Sequence, residues 1–361
     1  MDMKALLKQL VETESPSHDK SAVDRVCALV RDEAIKYGAD VKIIPNTTTG
    51  DHVVARWGKG EGGILLLCHM DTVFPLGTLY SMPYREADGK IFGPGVLDMK
   101  AGIVISLAAV EEILNTGMRR PVTLLCTSDE EIGSATSRKY IEELAKKSAL
   151  VLVLEAALLD GSLKTWRKGV GAFHVHVKGR AAHSGGDHEK GRNAIEEMAH
   201  QVIAIQKMTD YSRQTTLNVG VMSGGTVSNV VPEDAYAEVD VRVMQPGEWE
   251  RLESEMKSLS CVLEGTKLTV TGGLNRPPMP FDETAKVTFE KAKSIAKAIG
   301  VDLTAGGTGG ASDANFVAPL GIPVLDGMGA IGEGYHSERE YIFADSLEQR
   351  KKLLAALIQN W

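Results

Sequence analysis

The chain has 361 residues, 43% of them hydrophobic and 24% charged, with a formal net charge of −8. That length exceeds what one hydrophobic core usually serves, so two domains are expected, and the acidic balance argues against nucleic acid or an anionic membrane as partner. No stretch approaches the roughly 18–20 consecutive apolar residues of a membrane span, and the amphipathic start, MDMKALLKQLVETESPS, lacks the pattern of an export signal.

In chain order, helical periodicity covers residues 4–12 and 21–37. Strand-like runs follow at 40–45 (DVKIIP), 52–57 (HVVARW) and 62–69 (GGILLLCH). A helix is predicted over 99–115, then a strand at 121–128, a helix at 137–147 and an apolar run at 149–157. Apolar strands alternating with helices predict an α/β sheet covered on both faces.

The pattern changes near Thr165. Residues 163–179 alternate polar and apolar, as a half-exposed antiparallel strand does. A helix (193–207), two strands (215–222, 235–243), a helix (248–259) and a strand (267–273) complete an α+β block. Its expected form is a four-stranded antiparallel sheet with two helices on one side. The α/β pattern then resumes with a helix at 283–299, a Gly-rich loop, a strand at 321–328 and a closing helix. The expected domains are therefore 1–166 with 279–361, interrupted by 167–278. Four scattered cysteines (Cys27, Cys68, Cys126, Cys261) form no C-x-x-C pair. They read as reduced thiols in a cytoplasmic protein.

Several acids and imidazoles fall at the ends of predicted strands, where open α/β sheets place their sites. His69 ends one strand with Asp71 two residues on, a spacing in which a carboxylate can orient a metal-bound imidazole; an ordinary strand end looks the same. Asp98 in GPGVLDMKAG stands between glycines and a helix start, and fits an N-cap equally well. SDEEIGS crowds Asp129, Glu130 and Glu131 at another strand end, although adjacent like charges repel. Glu155 ends an apolar run, and His336 sits in a Gly-rich loop. Together, His69, His336 and the five carboxylates Asp71, Asp98, Glu130, Glu131 and Glu155 suit two divalent metal ions about 3.5–4 Å apart, with one glutamate left to move protons.

The segments HMDTV, GPGVLDMKAG, TSDEEIGS, LEA, AAHSG and GYHS, in this order, resemble the two-zinc metallopeptidase family of glutamate carboxypeptidase, acetylornithine deacetylase, succinyl-diaminopimelate desuccinylase and aminoacylase. The resemblance spans nearly the whole chain, and LNRPPMP with the 306–329 segment is similar to the glutamate carboxypeptidase branch. It implies a zinc-peptidase-like mixed sheet with a ferredoxin-like insert serving as lid and dimerisation domain. It implies two Zn2+ per subunit, with Co2+ or Mn2+ as alternatives. His69 and Glu155 would hold one ion, His336 and Glu131 the other, and Asp98 both. Asp71 would orient His69, and Glu130 would be the general base. Glu155 matches the family's carboxypeptidases and deacylases, whose aminopeptidases tend to carry Asp there.

In the insert, the resemblance gives His183 an oxyanion role in the partner subunit's site of a homodimer formed through 167–278. Arg242 and Arg276 would hold the substrate carboxylate, Asn229 would reach the site, and Gly306, Thr308 and Gly309 would line the pocket. For Arg242 and Arg276 a plain surface charge is the alternative, and for His183 a loop histidine. The implied activity is hydrolysis of an amide that frees a C-terminal amino acid, glutamate first, from an N-acyl amino acid or short peptide. An N-acyl-amino-acid deacylase and a non-catalytic metal- or peptide-binding relative are the competing readings.

Overall fold

A computed structural model describes residues 1–361. It divides into two compact units: Met1–Arg167 with Pro280–Thr308 and Ser312–Trp361, and Lys168–Met279 with Gly309–Ala311.

The first unit is a mixed sheet with helices. It begins with α1 (Met3–Glu12), whose first N–H groups are capped by the Asp2 carboxylate, and α2 (Lys20–Lys36). Strands β1 (Asp40–Ile44), β2 (His52–Trp57), β3 (Gly63–His69), β4 (Val122–Thr127) and β5 (Ser148–Val153) build the sheet, ordered β1-β2-β4-β3-β5 and closed by the short strand Val324–Leu325. β4, β3 and β5 are mutually parallel, while β2 runs antiparallel to both of its neighbours, β1 and β4. The Ile64–Cys68 run is buried throughout because helices cover both faces. One of them, α3 (Ala101–Thr116), is almost wholly apolar and buries every residue from Ala101 to Val110, and α4 (Arg138–Ala145) follows β4 in the chain.

The helix predicted from Met99 starts instead at Ala101. Residues Val96–Lys100 form a separate turn in which Asp98 (φ −119°, ψ 94°) and Met99 are non-helical, and Asp98 caps nothing. A small sheet pairs Arg85–Ala87, Lys90–Phe92, Tyr341–Phe343 and Gly332–Glu333 in that order, with Ile342 opposite Ile91. It fixes the loop that carries His336.

The second unit holds β7 (Gly169–Lys178), α5 (Ala194–Gln206), β8 (Thr216–Gly224), β9 (Asp234–Val243), α6 (Glu248–Ser258) and β10 (Lys267–Arg276). The run read as one strand over 163–179 breaks at Lys168. Its first part, β6 (Leu163–Arg167), pairs in parallel with Ala305–Thr308 inside the first unit. The second unit's sheet is antiparallel with order β8-β9-β7-β10. Phe173, Val175 and Val177 on β7 alternate inward and pack with Met198 and Ile205 of α5 and Trp249, Leu252 and Met256 of α6. Phe173 stacks on Trp249 with centroids 5.2 Å apart.

Candidate metal centre

The carboxyl ends of the three adjacent parallel strands deliver the site. β3 ends at His69, β4 runs into Glu130–Ile132, and β5 is followed by Glu155. The main-chain bonds Met70 N–H to Thr127 O (2.8 Å) and Leu154 N–H to Leu67 O (3.0 Å) hold these ends level. SDEEIGS is a short 3-10 turn, and Gly133 (φ 100°) lets the chain double back with its N–H on Glu130 O.

Asp98 stands between the two histidines. Its Oδ1 is 3.0 Å from His69 Nε2, and its Oδ2 is 3.2 Å from His336 Nε2. Glu155 Oε1 lies 3.4 Å from His69 Nε2, and Glu131 Oε2 lies 3.3 Å from His336 Nε2. Donor atoms of His69, Glu130 and Glu155, and of His69, Asp98 and Glu131, each fall within 4.8 Å of one another. Asp98 and Glu155 are buried, and Glu131 Oε1 is enclosed with no hydrogen-bond partner. A buried acceptor without a donor, among further acids, is what a cation relieves. The imidazole and carboxylate donor set fits zinc-type ions, and suits cobalt and manganese as well.

Electrostatics carries the same mark. Burial pushes the Glu131 carboxyl up to about 7, and the Asp98 charge adds to it. Burial opposes a charged His69, yet its bonds to Asp71, Asp98 and Glu155 hold it well above the ordinary imidazole value. The Asp98 and Glu131 carboxylates push half-exposed His336 up to about 10. Burial would raise Asp98, but the two imidazoles hold it well below the usual carboxylate range.

Asp71 is fully buried and does more than face His69. Its carboxylate accepts Ser17 Oγ–H (2.7 Å) and the backbone N–H groups of Glu130 and Glu131 (3.2 Å each). His69 Nδ1 is nearer the Asp71 carbonyl (3.0 Å) than its carboxylate (3.5 Å). An Nδ1–H donated to that carbonyl makes Nε2, which faces Asp98, the nitrogen that would bind a metal ion. Asp71 thereby locks the glutamate turn to the His69 strand.

The sequence profile of peptidase family M20/M25/M40 matches residues 65–360. Carboxypeptidase G2 of a Pseudomonas species is 31% identical over 98% of this chain and 88% of its own length. The chain belongs to peptidase family M20/M25/M40. It is therefore an M20-family metallopeptidase with a candidate metal-binding cluster. Its fold is shared with the aminopeptidase PepT of Bacillus cereus: TM-score 0.80, 22% identity, 99% of this chain and 97% of that one. A Bacillus subtilis protein described as a dinuclear metal-binding M20 peptidase has TM-score 0.69 at 15% identity, over 99% of this chain and 96% of that one.

The remaining sequence candidates of this M20 chain divide between the two units. Gly306 and Thr308 belong to the first unit, in the strand beside β6; a Cβ at Gly306 would meet Leu158 Cδ1 at 2.3 Å, so a larger residue there would require the Leu158 side chain to shift. Gly309 belongs to the second unit, as do His183, Asn229, Arg242 and Arg276. His183 pairs with Val230, and Ser184 N–H donates to Asn229 O at 3.0 Å, so His183 and Asn229 share one loop pair. Arg242 is held in a fork on Asp240, with Nε to Oδ1 at 2.8 Å and Nη2 to Oδ2 at 2.9 Å. Arg276 ends β10, buried, with Nη1 on Asn275 Oδ1 at 3.0 Å.

Sequence reasoning named Asp129 without giving it a role and passed over several other members of this region. Asp129 accepts the Thr136 N–H and Oγ1–H, both at 2.7 Å, and so closes the loop after the turn. Buried Lys164 donates to Tyr335 Oη (3.2 Å), and buried Arg167 to Asp326 (2.5 Å). Burial, followed by the Arg167 charge, lowers Lys164. Two cations on the short inward strand β6 were the visible signal. Ser17 and Glu340 carried no such signal.

Proposed function

We propose that this M20 metallopeptidase hydrolyses an amide bond to free a C-terminal amino acid, glutamate first, from N-acyl, folate-type or short peptide substrates. The observation that carries the hydrolytic part is Asp98, which offers one oxygen to the His69 side and the other to the His336 side. The carboxypeptidase reading draws on the likeness to carboxypeptidase G2 and on Glu155, the residue type that the family's carboxypeptidases and deacylases carry.

His69, Glu155 and Asp98 would hold one zinc ion, and His336, Glu131 and Asp98 the other. Bound there, the two ions supply Lewis acidity and lower the pKa of a shared water. Glu130 takes the proton from the attacking water and returns it to the departing nitrogen. Its backbone is fixed for that work, because Asp71 holds the N–H groups of Glu130 and Glu131. His183 stabilises the oxyanion as a donor. Two backbone N–H groups, of Gly185 (3.1 Å) and Gly186 (3.0 Å), point at its Nδ1, which makes Nδ1 the acceptor and Nε2 the protonated nitrogen. Arg242 exchanges Asp240 for the substrate carboxylate, a planar anion that suits the same fork. Arg276 and Asn229 assist, and residues 168–279 act as lid and as the homodimer contact.

A panel of N-acyl amino acids assayed with zinc and with cobalt tests this reading. Acyl-glutamates are expected to be turned over fastest. N-acetylornithine or N-succinyl-diaminopimelate turned over far faster would give the chain to the deacylases. No hydrolysis of any member, with fewer than two ions bound per chain, would make it a non-catalytic relative.

A further inference from the structure

We infer that Glu340 is a positioning residue for the two-metal centre: its carboxylate sets the backbone of the turn that aims Asp98 at both histidines. The inference rests on Asp98 being the shared ligand. The turn has an unusual need. Because Asp98 and Met99 are non-helical, Val96–Lys100 does not satisfy its own donors as a helix interior would. Within the turn, Val96 N–H reaches Gly93 O (3.2 Å) and Lys100 N–H reaches Gly95 O (2.9 Å). The N–H groups of Gly95, Leu97 and Asp98 are buried with the turn and need acceptors from elsewhere.

Glu340, with 0% exposure, supplies all three. Its Oε1 accepts Leu97 N–H at 2.7 Å and Asp98 N–H at 3.0 Å, and its Oε2 accepts Gly95 N–H at 3.2 Å. The bond to Asp98's own N–H fixes the start of that side chain, and with it the directions of Oδ1 and Oδ2. Gly95 adds to the constraint: its φ is +71°, and a Cβ there would meet Thr72 Cγ2 at 2.6 Å. Glu340 also shares the Glu333–Tyr341 loop with His336, anchored by the Tyr341–Phe343 strand against Lys90–Phe92. One loop therefore supplies an imidazole on one side of Asp98 and the acceptors that set Asp98's backbone on the other. Buried donors left unpaired are costly, so the turn is expected to move when this carboxylate is changed.

Glu340→Gln keeps the shape but puts an NH2 group where one N–H must find an acceptor. Metal binding is measured directly, by chelator competition with Zn2+ and from the absorption spectrum of the Co2+-loaded protein, beside kcat and KM. Two ions per chain are expected in the unaltered protein. In E340Q, affinity should fall 10–100-fold with an altered Co2+ spectrum, kcat should fall by a similar factor, and KM should stay within threefold. Glu340→Asp, which keeps the carboxyl group on a shorter stem, should move affinity and spectrum the same way by less, and serves if E340Q does not fold. Glu338→Gln removes an exposed acid of the same loop and should change none of these. Unaltered affinity and spectrum in E340Q, or a lowered melting temperature of the metal-free protein as the sole effect, would overturn the inference. Failure of the unaltered protein to bind two ions would instead overturn the reading of the centre.

Discussion

Glu131 and Glu197 are both enclosed carboxylates, one in each unit, and the chain treats them in opposite ways. Glu197, on α5, accepts Val262 N–H (2.9 Å), Leu263 N–H (2.6 Å) and Gln201 Nε2–H (2.6 Å). Burial would raise it, but these donors hold it below the ordinary carboxylate value. Glu131 has an enclosed oxygen with no donor at all, and burial pushes it up to about 7. Glu248 repeats the first pattern, saturated by Arg213, Arg251 and Thr215. A buried acid whose oxygens are filled by the protein is structural, whereas one left hungry beside histidines and further acids is waiting for a cation.

This contrast can be tested at several strengths. Glu130→Gln should lower kcat about 10²–10⁴-fold while both ions remain bound, as measured by steady-state kinetics and metal analysis. Retained activity within tenfold would assign the base elsewhere. His183→Ala should cost about 10²–10³-fold in kcat, the usual loss for one oxyanion donor, again at full metal content. A fully active monomer in sedimentation would remove its role in trans. Glu131→Gln and Glu197→Gln then set the two carboxylates against each other. The first should forfeit tight binding of one ion and leave the metal-free fold intact. The second should keep both ions and activity yet destabilise the fold by about 1.5–3 kcal/mol in denaturant titration, the scale of hydrogen bonds to a charged group.

The smallest effect concerns acid. The Arg251 bond, with Arg213 and Thr215, lowers Glu248 to about 2 against burial. A depressed carboxyl adds stability that is present above its unfolded value, about 4.3, and is lost as pH falls toward 2. Unfolding followed between pH 5 and 2 should show that slope, and Glu248→Gln should flatten it at a cost of about 1 kcal/mol at neutral pH. An unchanged slope would move the acid sensitivity to other carboxylates.

What could be read in the amino-acid order was the chemistry at strand ends. His69, Glu130, Glu131 and Glu155 stand out because a polar side chain ends an apolar run, and burial of such runs dictates where strands stop. Asp98 was visible, but its conformation was not, since GPGVLDMK looks like a helix start while tertiary bonds hold it open. Asp71 was read as a partner of His69 alone, and its grip on the Glu130–Glu131 backbone escaped notice. Glu340 and Ser17 lack periodicity or clustering, and their value comes from main-chain groups far away in sequence. The break at Lys168 was equally hidden, because β6 and β7 share one alternating pattern while pairing with different partners. Gly309–Ala311 falls with the second unit although it lies far from it in the sequence, which local pattern does not announce.

The small sheet that anchors residues 332–343 also bears on how the centre is born. His69, Asp98, Glu131 and Glu155 leave the ribosome before the inserted unit, and His336 and Glu340 after it. A nascent chain thus displays one of the cluster's two histidines beside its acids while residues 168–279 are being made and folded. The three N–H groups of the Asp98 turn lack the Glu340 carboxylate until the Tyr341–Phe343 strand docks on Lys90–Phe92. Assembly of the candidate metal centre is in this way deferred until the inserted unit has already had its chance to fold.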